Sequence, residues 1–206
     1  TKADLADPVT TALWLAHFKD LGIECMLLDK HDSGAIKTLM HRLTARFPRR
    51  EKRASRIMIV GIPNVGKSTL INLLADRKLA KVGDEPAVTK ARQEIILSED
   101  LVLLDTPGIL WPKLEDQAAA YRLASSGAIR NTAIDLADVG LFAAGLLQQR
   151  YPLLLQARYH TDPAEEEPLA VLEAIGRRRG CLVRGGVDLT KSGELLINDL
   201  RTGKLG

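Results

Sequence analysis

Aromatic side chains are scarce, with Phe, Trp and Tyr together forming only 4% of the 206 residues. A surface built mainly on base stacking is therefore disfavoured. Cysteine is scarcer still: Cys25 and Cys181 lie far apart and form no CxxC pair. That excludes a disulfide scaffold or a thiolate zinc site and points to a reducing compartment. The four histidines, His17, His31, His41 and His160, fall at no metal-ligand spacing and read as solvated or structural. No run of about 18 apolar residues occurs, as a membrane-spanning helix would need. No signal or transit segment is read at the start. A soluble, cytoplasmic protein with no membrane partner is expected.

What is present is a globular composition. Hydrophobic residues make up 46% of the chain, enough for an α/β domain plus a smaller unit at this length. The net charge of +3 and pI of about 8.9 are mildly basic. Asp7-Pro8 reads as an N-cap followed by proline at the first helical position, and Trp14, Phe18 and Leu21 then repeat at helical spacing up to Gly22. The apolar run Ile23–Leu28 reads as a buried strand, and Ile36, Leu39, Met40, Leu43 and Phe47 as one face of a second helix. A strand at Arg56–Val60, a loop at Gly61–Lys67 and a helix at Ser68–Ala75 follow, then strands near Glu94–Leu97 and Leu101–Leu104. This alternation predicts a mainly parallel sheet with helices on both faces. Beyond Trp111-Pro112 helical patterns take over, at Asp116–Ser126, Asp135–Gln149, Pro152–Tyr159, Pro168–Arg179 and Thr190–Leu200, with a loop at Asp162–Pro168. The expected domains are residues 1–115, α/β, and 116–206, all-α.

Gly61-Ile62-Pro63-Asn64-Val65-Gly66-Lys67-Ser68 fits the phosphate-loop pattern GxxxxGK(S/T), after a strand and before a helix. The glycines let the backbone N–H groups curl around a phosphate, and the helix N-terminus adds its dipole. Lys67 is expected to reach the β- and γ-phosphates and the Ser68 hydroxyl to ligate Mg²⁺. The strand Leu101–Leu104 ends in Asp105-Thr106-Pro107-Gly108, a DxxG motif in which Asp105 would hold Mg²⁺ through water and the Gly108 N–H would meet the γ-phosphate. Between them, Thr89 is the candidate switch threonine on Mg²⁺. Lys67, Thr89 and Gly108 are thus the expected catalytic groups.

Ras-type enzymes place a glutamine directly after DxxG to orient the attacking water. Here Ile109 stands in that position and can neither donate nor accept a hydrogen bond. Unaided hydrolysis is expected to be slow, completed by a partner or by a monovalent cation. Asn64 stands where several cation-dependent GTPases coordinate K⁺; alternatively it only shapes the loop.

Thr1-Lys2-Ala3-Asp4 is a variant of the N/T-K-x-D guanine motif, and it precedes the other motifs where the ordinary order puts it after them. Asp4 would accept hydrogen bonds from guanine N1 and N2, with Lys2 packed over the base. No equivalent follows Asp105, since Thr190-Lys191-Ser192-Gly193 lacks the aspartate. The nucleotide-binding residues expected from these motifs are Thr1, Lys2, Ala3, Asp4, Asn64, Val65, Gly66, Lys67, Ser68, Thr69 and Gly108.

TKADLAD, GIPNVGKSTLIN, DTPGILWPK, RGCLVRGG and DLRTGKLG together resemble the YlqF/RbgA family of circularly permuted GTPases, over essentially the whole chain. The resemblance implies the motif order G4-G5-G1-G2-G3 in a P-loop GTPase domain, followed by a small all-α domain that contacts ribosomal RNA. It implies GTP/GDP, Mg²⁺, a role in late assembly of the large ribosomal subunit, stimulation by the precursor particle, and a monomer off the ribosome. It also implies a hydrophobic residue after DxxG, as Ile109 provides. Three positions depart from the pattern. Thr1 stands where the family usually has Asn; Leu28-Asp29-Lys30 replaces a small Ser-Ala or Asn-Ser pair; Pro86-Ala87 replaces Pro-Gly. Asp29 and Lys30 are still expected near the base through backbone groups. A guanine motif also needs a strand to present it, so a fragment, or a chain lacking its first part, is expected.

Basic residues cluster at Arg42, Arg46, Arg49, Arg50, Lys52, Arg53 and Arg56, and again at Arg177-Arg178-Arg179 with Arg184. Alone, such runs read as solvated surface; with the resemblance they read as RNA-phosphate contacts. Arg201 and Lys204 read as complements to the dipole of their own helix. Two other readings stand beside the GTPase: an RNA-binding assembly module with little or no turnover, and an ATP-using P-loop enzyme, which TKAD disfavours.

Overall fold

The computed structural model describes residues 1–29, 31–48, 54–75, 93–110, 114–161 and 167–205. The chain divides into two compact units, Thr1–Leu110 and Trp111–Gly206.

The first unit opens with one 3-10 turn, Ala3–Leu5, and then α1 (Pro8–Asp20). The Asp7 carboxylate accepts from the Thr10 N–H at 2.6 Å, satisfying one of the donors that a helix start leaves open. Asp32 caps α2 (Ser33–Arg46) the same way, through Gly34 and Ala35. β1 (Ser55–Ile59), α3 (Lys67–Leu74), β2 (Gln93–Ser98) and β3 (Leu101–Asp105) follow.

The three strands form one sheet in the order β1-β3-β2. β1 runs parallel to β3, from Ser55↔Leu101 to Ile59↔Asp105, while β2 is antiparallel to β3. The expected parallel sheet is therefore mixed. The reason is the connection: Glu99 and Asp100 alone join β2 to β3, and so short a link closes a hairpin but cannot make the crossover that parallel pairing requires. β3 lies between its neighbours and is the most buried strand, with Leu101, Leu103, Leu104 and Asp105 all inside. Leu103, Ile95 and Ile71 of α3 form one core cluster, with Ile57 and Ile59 against it.

The strand expected at Ile23–Leu28 is not one. The segment pairs with no other strand among the described residues. An apolar run supplies burial but not a ladder partner, and the partner is what makes a strand. Met26 and Leu28 instead pack with Ile36 of α2 and Leu74 of α3, while Ile23 and Leu27 face outward.

The second unit is built from α4 (Gln117–Ser125), α5 (Leu136–Arg150), α6 (Pro152–Tyr159), α7 (Pro168–Arg179) and α8 (Leu189–Arg201). Asp116, Asp135 and Asp188 cap α4, α5 and α8. The unit is not purely helical. Leu182–Val183 (β4) and Gly186–Val187 (β5) form a two-stranded hairpin between α7 and α8. Ala143, Leu147, Leu155, Tyr159, Val171, Leu172, Ile175 and Leu196 build the core. Each of the Val, Leu and Ile side chains among them contributes about 1.5–3 kcal/mol on burial. α5 and α8 approach closely through paired glycines: a Cβ on Gly140 would lie 2.4 Å from the Gly193 Cα.

Two polar devices tie the helices together. Asp199, only 2% exposed, accepts from Arg158 Nε at 2.8 Å and the Tyr159 hydroxyl at 3.1 Å, with Arg179 Nη2 at 3.4 Å and Lys204 Nζ at 3.6 Å. Burial alone would raise the Asp199 pKa, but the hydrogen bonds from Arg158 and Tyr159 and the nearby cations overcome it, and the carboxyl sits below its ordinary value. Burial, reinforced by the Asp199 charge, raises the Tyr159 phenol. The second device is Arg201. Its Nη2 and Nε donate to the carbonyls of Ala124 and Ser125 at 2.6 and 3.1 Å, and its Nη1 to Asn131 Oδ1 at 3.0 Å. Arg201 thus caps the C-terminus of α4, a correction to the expectation that it serves its own helix. Lys204 is likewise committed to Asp199.

Candidate nucleotide-binding site

The loop between β1 and α3 takes its shape from two left-handed residues, Asn64 at φ 56° and Gly66 at φ 95°. Gly66 is the N-cap residue of α3, and its carbonyl accepts from the Leu70 N–H at 2.9 Å. The loop's backbone and the helix N-terminus are therefore presented together, the arrangement that receives phosphate. Lys67 Nζ donates to the carbonyls of Ile62 at 2.8 Å and Gly61 at 3.1 Å. Partial burial pushes its pKa below the usual lysine value, while the charge of Asp105 opposes that shift. Ser68 and Thr69 open α3, half-buried.

β3 delivers the second motif. Asp105, 4% exposed, stands at the strand's end, in register with Ile59 just before the loop. Thr106 Oγ1 donates to the Ile59 carbonyl at 2.7 Å, and the Ile109 N–H reaches the Gly61 carbonyl at 3.3 Å. Gly108 lies hard against the loop: a Cβ there would sit 2.7 Å from the Pro63 Cα and 2.8 Å from Lys67 Nζ. Only glycine permits that approach. The Ile109 side chain points away, 77% exposed.

The chain's first residues reach the same loop. Thr1 Oγ1 donates to the Val65 carbonyl, and its side chain packs against Gly66. Lys2 adopts φ 58°, an uncommon state for a non-glycine residue, and the Ala3 N–H donates to the Leu28 carbonyl at 3.3 Å. That bond places the Thr1–Asp4 motif beside the segment carrying Asp29. The Asp29 carboxylate accepts from the His31 N–H at 2.8 Å, so its side chain shapes its own turn. Asp4 is exposed. Lys30 and Thr89 lie outside the described residues, as do Arg49, Arg50, Lys52 and Arg53 of the first basic cluster.

The structure thus brings together Thr1, Val65, Gly66, Lys67, Asp105 and Gly108, drawn from three separated stretches of sequence. Sequence reasoning missed Thr106 and Pro63. Thr106 sits inside DTPG and was visible only as an unspecified position; Pro63 matters because Gly108 touches it, which no local pattern discloses. It also missed that the first cluster is partly committed: Arg42 pairs with Glu24 at 3.2 Å and Arg56 with Glu94 at 3.4 Å. Both pairs are exposed, and such pairs contribute little to stability.

The strand–loop–helix unit, with a DxxG strand parallel to its own strand, defines a P-loop GTPase. A sequence profile of the family described as "50S ribosome-binding GTPase" matches residues 56–164. The chain is 45% identical to ribosome biogenesis GTPase A of Priestia megaterium over all of its own length and 75% of that protein's. It is 30% identical to ribosome biogenesis GTPase A of Thermotoga maritima, again over its whole length and 71% of the relative's. Its fold is similar to GDP-bound YlqF of T. maritima, with a TM-score of 0.71 and 27% identity over the whole chain and 78% of that structure. The GNP-bound YlqF from T. maritima gives a TM-score of 0.68 at the same identity, over the whole chain and 76% of that structure. The chain belongs to the ribosome biogenesis GTPase A (YlqF/RbgA) family. It is a GTP-binding protein of ribosome biogenesis.

Proposed function

We propose that this protein is a circularly permuted, Mg²⁺-dependent GTPase that assists assembly of the large ribosomal subunit and hydrolyses GTP when the precursor particle engages it. The observation that carries the reading is the seat of Thr1 on the phosphate loop, through Val65 and Gly66. A segment of the guanine-motif pattern that precedes the phosphate loop in sequence lies against that loop in space, which supports a permuted order. The permutation also lets the chain run from the DxxG segment straight into the helical unit, which provides a route from nucleotide state to the RNA-contacting part.

In this reading Asp4 selects guanine, Lys2 and the backbone near Asp29 and Lys30 flank the base, and residues Asn64–Thr69 wrap the phosphates. Lys67 and the Gly108 N–H take charge developing on the γ-phosphoryl oxygens; the work is positioning and electrostatics, with no covalent step. The donor set fits Mg²⁺: a serine hydroxyl at the start of α3 and a buried carboxylate at the end of β3 are hard oxygen ligands, which this ion takes together with substrate phosphates. Bound there by Ser68, Asp105 and Thr89, it would neutralise phosphate charge. Ile109 leaves the attacking water without a side-chain partner, so turnover is slow alone. Asn64 is the ligand proposed for K⁺. The protein acts as a monomer off the ribosome, and its helical unit binds ribosomal RNA.

The test is single-turnover GTP hydrolysis with and without large-subunit precursor particles, in KCl and in NaCl. Particle-stimulated turnover, faster in KCl, is expected. Particle binding with no stimulated hydrolysis would favour an assembly module without turnover, and equal rates in the two salts would remove the K⁺ role.

A further inference from the structure

The second basic group, Arg177–Arg179 with Arg184, does not act as one patch, because the structure has already committed half of it. Arg177 Nη2 lies 2.6 Å from Glu173 Oε2, one helical turn back. Arg179 joins Asp199 and lies over the Tyr159 ring, 5.7 Å from its centroid. Arg179 thus works within the buried cluster of the helical unit, while Arg177 is paired on the surface of its own helix. Arg178 and Arg184 are exposed and make no ion pair among the described residues.

These two arginines stand just before the β4–β5 hairpin and at its tip. Arg178 stands in the last turn of α7, and Arg184 with Gly185 forms the tip. The hairpin's base is firmly held. Cys181, buried, donates its N–H to the Gly176 carbonyl at 2.8 Å, and its own carbonyl accepts from Asp188 N–H at 2.8 Å. Val187 packs into the space beside Gly176, where a Cβ would meet it. The outer part is the opposite: Leu182 and Val183, on alternate faces of the ribbon, are 61% and 50% exposed. A rigid base therefore presents two uncommitted cations and two apolar side chains to solvent.

We infer that the β4–β5 hairpin, with Arg178, Arg184, Leu182 and Val183, is the RNA-contacting surface of the helical unit. This deepens the proposed function and rests on it. The guanidiniums are suited to backbone phosphates, as planar forks of donors, and the apolar pair to the sugar and base surface of a shallow RNA groove or an unpaired loop. Charge complementarity selects RNA as the occupant, and the short ribbon adds no apolar area of the size that a stable protein partner buries.

The test uses the full chain and titrates deproteinised large-subunit ribosomal RNA over a range of salt. Arg184→Ala and Arg178→Ala are each expected to weaken binding by about five- to tenfold and to flatten the slope of log K against log salt by roughly 0.7–0.9. Leu182→Ser is expected to weaken binding several-fold without changing the slope. Arg150→Ala removes the same charge from elsewhere in the unit and is expected to change neither. Circular dichroism melts should be unmoved, since all of these side chains are exposed. An equal loss from Arg150→Ala would overturn the assignment in favour of diffuse charge. Loss of particle binding with RNA binding intact would place a ribosomal protein on the hairpin and also overturn it. Variants that bind RNA as the parent does, while particle-stimulated GTP turnover persists, would remove the hairpin and leave the GTPase reading standing.

Discussion

The two units of this chain hold themselves together differently. The helical unit gathers residues from α5, α6, α7 and α8 around one main core, with Leu155, Val171, Ile175 and Leu196 at 0% exposure. The nucleotide unit has smaller clusters around α3 and leaves Val9, Leu13, Met58, Val60 and Ile96 more than half exposed. What orders its site is a set of specific backbone contacts: Thr1 to Val65, Thr106 to Ile59, Ile109 to Gly61, and Gly108 against Pro63. Mass of core stabilises one unit, and precise loop bonding shapes the other. A change that damages one should therefore spare the other.

The sharpest way to break that contrast is Asp199→Ala. Removing the carboxylate leaves the buried Tyr159 hydroxyl without its acceptor and takes the partner from three partly exposed cations, which should cost about 1.5–3 kcal/mol. Urea denaturation followed by circular dichroism would read it, with GTP affinity little changed at low denaturant. A simultaneous loss of GTP binding would show that the units are not independent.

Gly108→Ala attacks the other side. The added methyl collides with the Pro63 backbone, so the DxxG segment must withdraw from the loop. A fall in GTP turnover of roughly 100- to 1000-fold is expected, with helical-unit stability preserved. Unchanged turnover would mean that the close approach is not needed for chemistry.

Acid provides a graded version of the first test. Because the folded-state pKa of Asp199 lies below its ordinary value of 3.8, its contribution is fully present above that value and lost as pH falls through the folded one. Stability should decline below about pH 4. Asp199→Asn should lack that part of the decline, and an identical acid profile would contradict it. The smallest expected effect is Thr1→Val, which deletes the hydroxyl bonded to Val65 while keeping the shape; a loss of about 1 kcal/mol, near fivefold in GTP affinity, should appear in a labelled-nucleotide titration. Thr1→Asn should retain affinity.

Much of the architecture was legible before folding. α6 and α7 begin and end where their prolines and periodicity place them, and α1 starts beside the capping Asp7, whereas Asp116 and Asp135, expected inside their helices, and Asp188, not expected at all, prove to be the caps of α4, α5 and α8. The phosphate loop was legible because its glycines and lysine answer to local geometry alone. The misreadings concern pairing, near or distant in sequence, which composition alone does not record. Ile23–Leu28 has a strand's composition and no neighbour to pair with. β2 has a strand's composition, and its direction was set by the two-residue link to β3. Arg201 looked like a dipole complement until its partners proved to be carbonyls of α4.

The sequence by itself determined the local features: caps, helix periods, the glycine-rich loop, and the position of TKAD ahead of the other motifs. These depend on residues within one or two turns of each other, so spacing suffices to read them. The tertiary structure alone decided that Thr1 meets Val65, that Gly108 meets Pro63, and that Arg158, Arg179 and Lys204 are committed to Asp199 while Arg178 and Arg184 are not. Those assignments depend on which side chains arrive at the same place. Charge and hydrophobicity along a chain carry no record of that until the chain has folded.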